Sequence, residues 1–401
     1  MLDNSSSDLR PSLIASITDA VGRVVRPHEN GPVHLHEPEF AGREWEYVKS
    51  CLDEGWVSSV GKFVDRFERD VARVSGASHA VAVVNGTAAL HAALMLIGVK
   101  PGDEVLMPTL TFVATANAVA YCSAVPHFVD SELATLGLDP DALERHLERI
   151  AEMRDGIAYN RTSGRPIRAV VPVHIFGHPV RMCALNAVAK RWSIAVIEDA
   201  TEAFGSRFDG KPVGCNGVVG VFSFNGNKIV TTGGGGAIVT NDPVMARRAK
   251  HLTTTAKRPH PWAFGHDEIG YNYRMPNLNA ALGCAQIEQL DGFIVRKRRL
   301  AEAYSKAFAG MAGGSFVREP DGSQSIYWLN AILLDEGNAG QRDVLLQALK
   351  DADLHCRPAW TPMHRLPMFR DCPRADVSVA ENIEARLINL PSSPRLAPDQ
   401  A

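Results

Sequence analysis

The sequence holds no run approaching the roughly 18 consecutive apolar residues that a membrane-crossing helix needs. Its first twenty residues, MLDNSSSDLRPSLIASITDA, lack the basic start and apolar stretch of a secretory signal. There is little excess charge. The 42 Lys and Arg against 45 Asp and Glu leave a formal net charge of −3, which argues against a nucleic-acid-binding polycation or an acidic tail. The seven cysteines (51, 122, 183, 215, 284, 356 and 372) are scattered, odd in number and form no CxxC. That argues against a disulfide framework or a zinc knuckle and points to a reducing cytoplasm. Internal repeats and low-complexity tracts are also missing. With 45 % hydrophobic and 22 % charged residues, the composition is that of an ordinary globular protein. At roughly 150 residues per domain, 401 residues suggest two to three domains.

Residues 1–37 read as an amphipathic N-terminal extension, with Leu13, Ile14, Ile17 and Val21 at helical spacing until Pro27, Gly31 and Pro32 break the pattern. From about residue 78 short apolar runs alternate with helical stretches. The strand-like runs are His79–Val84, Glu104–Met107, Pro126–Val129, Ala169–Val173, Ala195–Glu198 and Val218–Phe224. Helical stretches follow the first two, over Ala88–Leu96 and through Asn117–Tyr121. Such alternation predicts an α/β fold with a largely parallel sheet covered on both faces. Residues 285–310 read as one long helix. Alternating patterns at 327–334 and 353–357, with a helix over 341–351 between them, predict a smaller α+β domain. The expected division is therefore a large domain over 38–290 and a small one over 291–401. The stretch from Pro391 reads as the cap region of a further helix.

Three features at strand ends carry chemistry. Asp199 directly follows the run Ile194–Glu198. Ligands of open α/β sheets bind outside the carboxyl ends of strands, where a carboxylate can pair with a ring-nitrogen cation; it can equally cap a following helix. Lys228 lies four residues past Phe224 and is followed by Thr231-Thr232 and four glycines. A partly desolvated lysine is a Schiff-base nucleophile, whereas a lysine in a glycine-rich loop is also an ordinary surface residue. Gly86-Thr87-Ala88 sits at a strand-to-helix turn, where free N–H groups suit a phosphate, although Asn85 or Thr87 can simply cap the helix. Taken together, a Schiff-base lysine, a carboxylate for a pyridinium nitrogen and a helix N-terminus for a phosphate are what pyridoxal phosphate needs. Phe112, after another strand, is placed to stack on the cofactor ring or to serve as a core residue. His174 and His178, four apart, evoke a metal pair, but Ile175-Phe176-Gly177 and Pro179 put them around a strand-to-loop turn with no acidic partner expected nearby, so no metal is expected.

The motifs NGTAALHAAL, GDEVLMPTLTFVATANAV, VPVHIFGHPV, VIEDATEAFGS, FSFNGNKIVTTGGGG, GYNYRMPNLNAALG and RPAWTPMH closely resemble those of the DegT/DnrJ/StrS family of pyridoxal-phosphate-dependent nucleotide-sugar aminotransferases. The resemblance runs from about residue 33 to 396. It implies the fold-type-I aminotransferase architecture and a homodimer with sites at the interface. It further implies that Lys228 is the Schiff-base lysine and proton shuttle, and that Asp199 keeps the pyridinium nitrogen protonated. Gly86, Thr87 and Ser223 would bind the phosphate, with Ala88 beside them, and Phe112 would pack on the ring. Glu202 stands where the family often has Gln or His and would lie near the ring hydroxyl. Asn272 would reach the phosphate held by the other protomer, and Asn225 would lie close to the lysine. Trp56 and Ser58 look like a substrate loop, and Arg274, Arg357 and His364 are candidates for the nucleotide-sugar substrate.

Within the family, the N-terminal extension, the stretch VHLHEPEFAGREWEYVKSCLDEGWVSSVGKFVDRFE and the NGNKIVTTGGGG turn in place of the commoner TTGEGG resemble the legionaminic-acid pathway subgroup. The implied reaction moves an amino group from L-glutamate to C4 of a UDP- or GDP-linked 4-keto-6-deoxy sugar bearing a 2-acetamido group, in ping-pong fashion. The family usually carries one more C-terminal helix than this sequence offers. A sugar dehydratase on the same fold would have a histidine in place of Lys228. A ligand-sensing protein would not need the intact Lys228/Asp199 pair.

Overall fold

A computed structural model describes residues 12–25 and 31–398; Pro27 lies outside them. The apolar runs form a seven-stranded sheet of β1 (His79–Val83), β2 (Glu104–Pro108), β3 (Val125–Val129), β4 (Ile167–Val170), β5 (Ala195–Asp199), β6 (Val219–Ser223) and β7 (Gly236–Thr240). Their spatial order is β1-β7-β6-β5-β4-β2-β3. Only β7 runs against its neighbours; the other pairings are parallel. All five residues of β2 and of β7 are buried, as a sheet covered on both faces requires. Helices that include Gly86–Leu96, Ala114–Tyr121, Pro140–Ile150 and Met182–Arg191 supply the crossovers. This is the expected α/β architecture, a large, mostly parallel mixed sheet flanked by helices.

The carboxyl ends of β1, β5 and β6 meet at one place because two glycines allow it. Asn85, in extended backbone, starts the helix Gly86–Leu96 and takes the Ala88 N–H on its side chain at 2.7 Å. Gly236 opens β7 directly beside that turn, and a Cβ there would meet Asn85 O at 2.5 Å and Gly86 N at 2.8 Å. Gly86 is itself pressed against Ser223, whose Cβ would lie 2.9 Å from an added Cβ.

A second sheet is antiparallel, with β8 (Gly314–Phe316), β9 (Asn330–Leu334), β10 (Arg357–Pro358) and β11 (Leu387–Leu390) in the order β8-β9-β11-β10. The periodic N-terminal segment forms the helix Leu13–Val24. Its buried Ile17, Ala20 and Val21 share a core with Leu300 and Tyr304 of the helix Leu290–Ala307 and with Leu345 and Leu349 of Arg342–Asp351. Burying Ile17 and Val21 contributes about 1.5–3 kcal/mol each.

The reading of 285–310 as one helix is corrected. Two helices, Asn277–Ile287 and Leu290–Ala307, meet at Glu288-Gln289. There the Gln289 backbone N–H turns to Gln286 O at 3.1 Å, and its side-chain amide takes the Ala285 carbonyl at 3.0 Å. Ala285 O thus keeps a partner where the regular ladder lapses. The run expected over Ala169–Val173 stops as a strand at Val170 because Pro172 has no N–H to donate. Of 353–357 only Arg357 enters the small sheet, while Leu354 makes an isolated bridge to Val33. After Pro391 a single 3-10 turn, Pro394–Leu396, stands where a helix cap is expected.

Candidate active site

A cavity of about 330 Å³ opens over the carboxyl ends of the strands. It is lined by Gly86, Thr87, Phe112, Asp199, Glu202, Ser223, Asn225 and Lys228 among the residues singled out in the sequence. Asp199 ends β5 and Ser223 ends β6, while Lys228 follows in a turn closed by its N–H on Asn225 O at 3.0 Å. No helix follows Asp199. Its carboxylate instead accepts from Thr115 Oγ1 at 2.9 Å and from Thr201 N at 3.2 Å.

Lys228 is enclosed. Its Nζ lies 3.6 Å from Glu202 Oε1 and 3.8 Å from the centroid of the Trp328 ring. Burial lowers its proton affinity below that of an ordinary lysine, while Glu202 and Asp199 pull it back up. Burial pushes the Glu202 carboxyl up to about 7 against the pull of Lys228. Glu202 Oε2 also accepts from Phe176 N at 2.9 Å. Phe176 sits at φ 56°, a conformation that costs a bulky residue about 1–3 kcal/mol and persists only where its surroundings enforce it.

Behind Asp199 lies a second buried pair. His174 Nε2 meets Glu198 Oε1 at 2.8 Å, and Glu198 also accepts from Gly214 N and Asn216 N. Burial would raise the Glu198 carboxyl, but His174 and these N–H groups hold it below its usual range. His174 N donates to Asp199 O at 3.1 Å, so this pair braces the strand end that carries Asp199. The expectation that these histidines have no acidic partner nearby is corrected for His174, which the fold brings onto Glu198 from the adjacent strand end; buried His178 packs edge-on against Tyr327 at 5.2 Å.

The other sequence candidates lie outside the cavity lining. The Ala88 N–H is already taken by Asn85. Asn272 is exposed and bridges Thr254 through its backbone. Trp56 lines a separate cleft with Lys62 and Asn277, and Ser58 O accepts from Asn277 N at 2.7 Å. Arg274 is buried against Glu68 at 3.3 Å. Arg357 lines another cleft with His355 and Lys350. His364 is held between Thr109 Oγ1 at 2.7 Å and Glu381 Oε1 at 3.0 Å. Phe112 is 52 % exposed, so it is a wall of the cavity rather than core. The sequence reading missed Thr111, Thr115, Trp328 and Trp360 as lining residues. The two threonines flank Phe112 in a motif already singled out. Trp360 lies in the RPAWTPMH motif, also singled out, whereas Trp328 comes from a distant part of the chain with no local signal.

These residues fit pyridoxal phosphate. The first two N–H groups of the helix Gly86–Leu96 have no intrahelical acceptor, since Asn85 takes only those of Ala88 and Ala89. They point from a positive helix end, which suits a phosphate. Thr111 Oγ1 is buried in the lining with no hydrogen-bond partner among the described residues, and a buried hydroxyl without a partner is costly. Lys228 supplies an amine and Asp199 a carboxylate. When bound, the cofactor supplies an electron sink for the pair left behind when a carbon next to nitrogen loses its proton.

Fold and donor set define a pyridoxal-phosphate enzyme of fold type I. The chain belongs to the DegT/DnrJ/EryC1/StrS aminotransferase family, whose profile matches residues 38–401. It is similar to GDP-perosamine synthase of Escherichia coli O157:H7, with 39 % identity over 371 residues, covering 92 % of this chain and 95 % of that protein. Among solved structures, aminotransferase TlmJ from Streptoalloteichus hindustanus superposes with a TM-score of 0.81 at 28 % identity, covering 90 % of this chain and 94 % of that one. DesI in the presence of its TDP-sugar product gives 0.80 at 30 % identity, covering 92 % and 89 %. The protein is thus a pyridoxal-phosphate-dependent aminotransferase.

Proposed function

We propose that the enzyme transfers an amino group from L-glutamate to C4 of a nucleotide-linked 4-keto-6-deoxy sugar, for surface-glycan biosynthesis in the cytoplasm. The observation that carries this reading is Lys228 held beside Glu202 and above the same cavity as Asp199, in a chain 39 % identical to a GDP-perosamine synthase. In this reading Lys228 accepts a proton from the donor carbon and returns one to the acceptor carbon, so its amine has to be neutral when free. Asp199, fixed by Thr115 and Thr201, would pair with the ring nitrogen. Gly86, Thr87 and Ser223 hold the phosphate, and Phe112 covers the ring. The relative's name favours a GDP-linked acceptor. The NGNKIVTTGGGG turn and the 33–68 stretch favour a 2-acetamido sugar of the legionaminic-acid kind. The nucleotide base does not follow from the fold, since a structural neighbour is described with a TDP-sugar.

We further propose that two copies share their sites, with Asn272 reaching the phosphate held by the partner. Support comes from the adjoining segment, where Trp262, Phe264 and Ile269 are 80 %, 80 % and 82 % exposed. A cluster of large apolar side chains in water marks a surface that another chain covers. Trp56, Ser58 and Arg357, each in a cleft or loop apart from the cavity, are the substrate candidates left with exposed side chains.

The test loads the protein with pyridoxal phosphate, converts it with L-glutamate and then offers UDP- and GDP-linked 4-keto-6-deoxy sugars one at a time. Return of the starting absorbance with one of them names the acceptor. A protein that binds the cofactor but does not answer glutamate would point to another donor or to the dehydratase or sensor readings.

A further inference from the structure

Lys228 has to be parked somewhere whenever it is not bonded to cofactor, and the structure contains a built place for it. The Nζ lies between Glu202 Oε1 at 3.6 Å and the face of Trp328 at 3.8 Å from the ring centroid. Both walls are fixed from behind. Glu202 is tied through Oε2 to Phe176 N. The Trp328 indole N–H donates to Asn227 O at 2.7 Å, next to the lysine itself. The Trp328 carbonyl accepts from the buried Lys297 Nζ at 3.1 Å. A carboxylate on one side and an aromatic face on the other are what a desolvated ammonium group binds.

We infer that Glu202 and Trp328 form a seat for the free Lys228 ammonium and thereby set the pH range over which this lysine gives up its proton. The inference rests on the reading of Lys228 as the reactive lysine. It assigns Trp328, which approaches from outside the large sheet, a positioning role in the reaction.

The charges around the seat agree with this assignment. Asp199 and Glu202 both stabilise the Lys228 ammonium against its burial. His36, from the N-terminal segment, lies near enough to feel Lys297 and Lys228; burial, and then any charge on these lysines, lowers the proton affinity of its ring. Burial also holds Lys297 well below the proton affinity of an ordinary lysine. The two carboxylates and the Trp328 face are therefore the groups that favour the charged form of Lys228.

The test is competitive acetylation of full-length, cofactor-free protein with trace acetic anhydride across pH, with Lys228 read by peptide mass spectrometry. Only the neutral amine attacks; its nitrogen takes the acetyl group, acetate leaves and the amine proton goes to solvent. Removing the carboxylate charge with Glu202→Gln is expected to lower the midpoint by about one pH unit or more, which is about tenfold more labelling below the midpoint. Trp328→Leu lowers it by a fraction of a unit to about one unit, and Trp328→Phe, which keeps an aromatic face, restores it. A profile coincident with wild type for either Glu202→Gln or Trp328→Leu overturns the seat. Uptake of pyridoxal phosphate by the wild-type protein, followed separately by absorbance, tells the two failures apart. With uptake, coincident profiles defeat the seat alone; without uptake, the reading of the site falls with it.

Discussion

Replacing Gly236 by alanine adds one methyl group at the point where the sheet passes the start of the helix Gly86–Leu96. The new Cβ would lie 2.5 Å from Asn85 O, 2.6 Å from Asn85 C and 2.8 Å from Gly86 N, where ordinary contact begins at 3.4 Å. The obstruction is backbone, so it cannot swing away as a side-chain tip would. Relief requires the Asn85-Gly86 turn and β7 to part by close to 1 Å, and overpacking of this kind costs about 1–3 kcal/mol. The same movement displaces the N–H groups of Gly86 and Thr87 from hydrogen-bonding range, and one lost hydrogen bond to a charged group is worth about 1.5–3 kcal/mol. The Kd for pyridoxal phosphate is therefore expected to rise about tenfold or more. The melting temperature should fall by a few degrees, since a chain this long loses about 2 °C or less per kcal/mol. Fluorescence or absorbance titration and a thermal melt measure both. Gly292→Ala is the control, in a helix where nothing lies within 4 Å of the added Cβ; it should stabilise by about 0.5–1 kcal/mol. If Gly236→Ala bound the cofactor and melted as wild type does, the argument that this glycine shapes the phosphate turn would be refuted.

Thr115→Val removes the hydroxyl that Asp199 Oδ2 accepts at 2.9 Å. It should weaken pyridoxal phosphate binding by about tenfold with little change in melting temperature, because Val fills nearly the same volume; unchanged affinity would show that Thr115 does not support Asp199. A pH-dependent loss of stability follows from the buried chain Ser163–Glu104–His127–His146, whose two histidines meet Nε2 to Nε2 at 2.7 Å. Burial lowers His146 to about 3 and His178 to about 4, so the folded state resists protons that the unfolded chain binds below pH ~6.5. Each histidine thus contributes stability that is complete above that pH and declines by up to about 1.4 kcal/mol per unit as the pH falls toward its folded value. Burial would raise Glu104, but His127, Ser163 and Asn160 hold it below its usual range, so its contribution is lost only at still lower pH. Urea titrations from pH 7 to 4 should show this slope, and His146→Gln should flatten it; an equal slope in the variant would exclude His146 as its source.

What the sequence revealed about the site came from strand ends. Asp199 and Lys228 sit at or just beyond the carboxyl ends of buried strands, where apolar runs followed by polar or glycine-rich turns mark them; Ser223 came from the family resemblance. The helix start at Gly86 was legible because Asn85 is a strong cap residue. The contributors from elsewhere were not legible. Trp328 sits in an alternating stretch that reads simply as strand, and only folding brings its indole 3.8 Å from Lys228. The break at Glu288-Gln289 was hidden because both residues suit a helix; Glu288 is drawn out by Tyr47 and Arg66, more than two hundred residues away in sequence. Arg274 and His364 carry the right chemistry for a phosphate-bearing substrate, but their neighbours Glu68 and Glu381 could be known only from the fold.

The central claim is that Lys228 moves the proton in amino transfer. The most direct measurement is a single-turnover reaction of the pyridoxal-phosphate-loaded protein with L-glutamate, wild type against Lys228→Ala, followed by the absorbance of the bound cofactor. Wild type should convert the cofactor to its amine form, and the variant should bind glutamate but convert at least about 10²-fold more slowly, the usual worth of a positioned acid–base group. Equal rates would contradict the account.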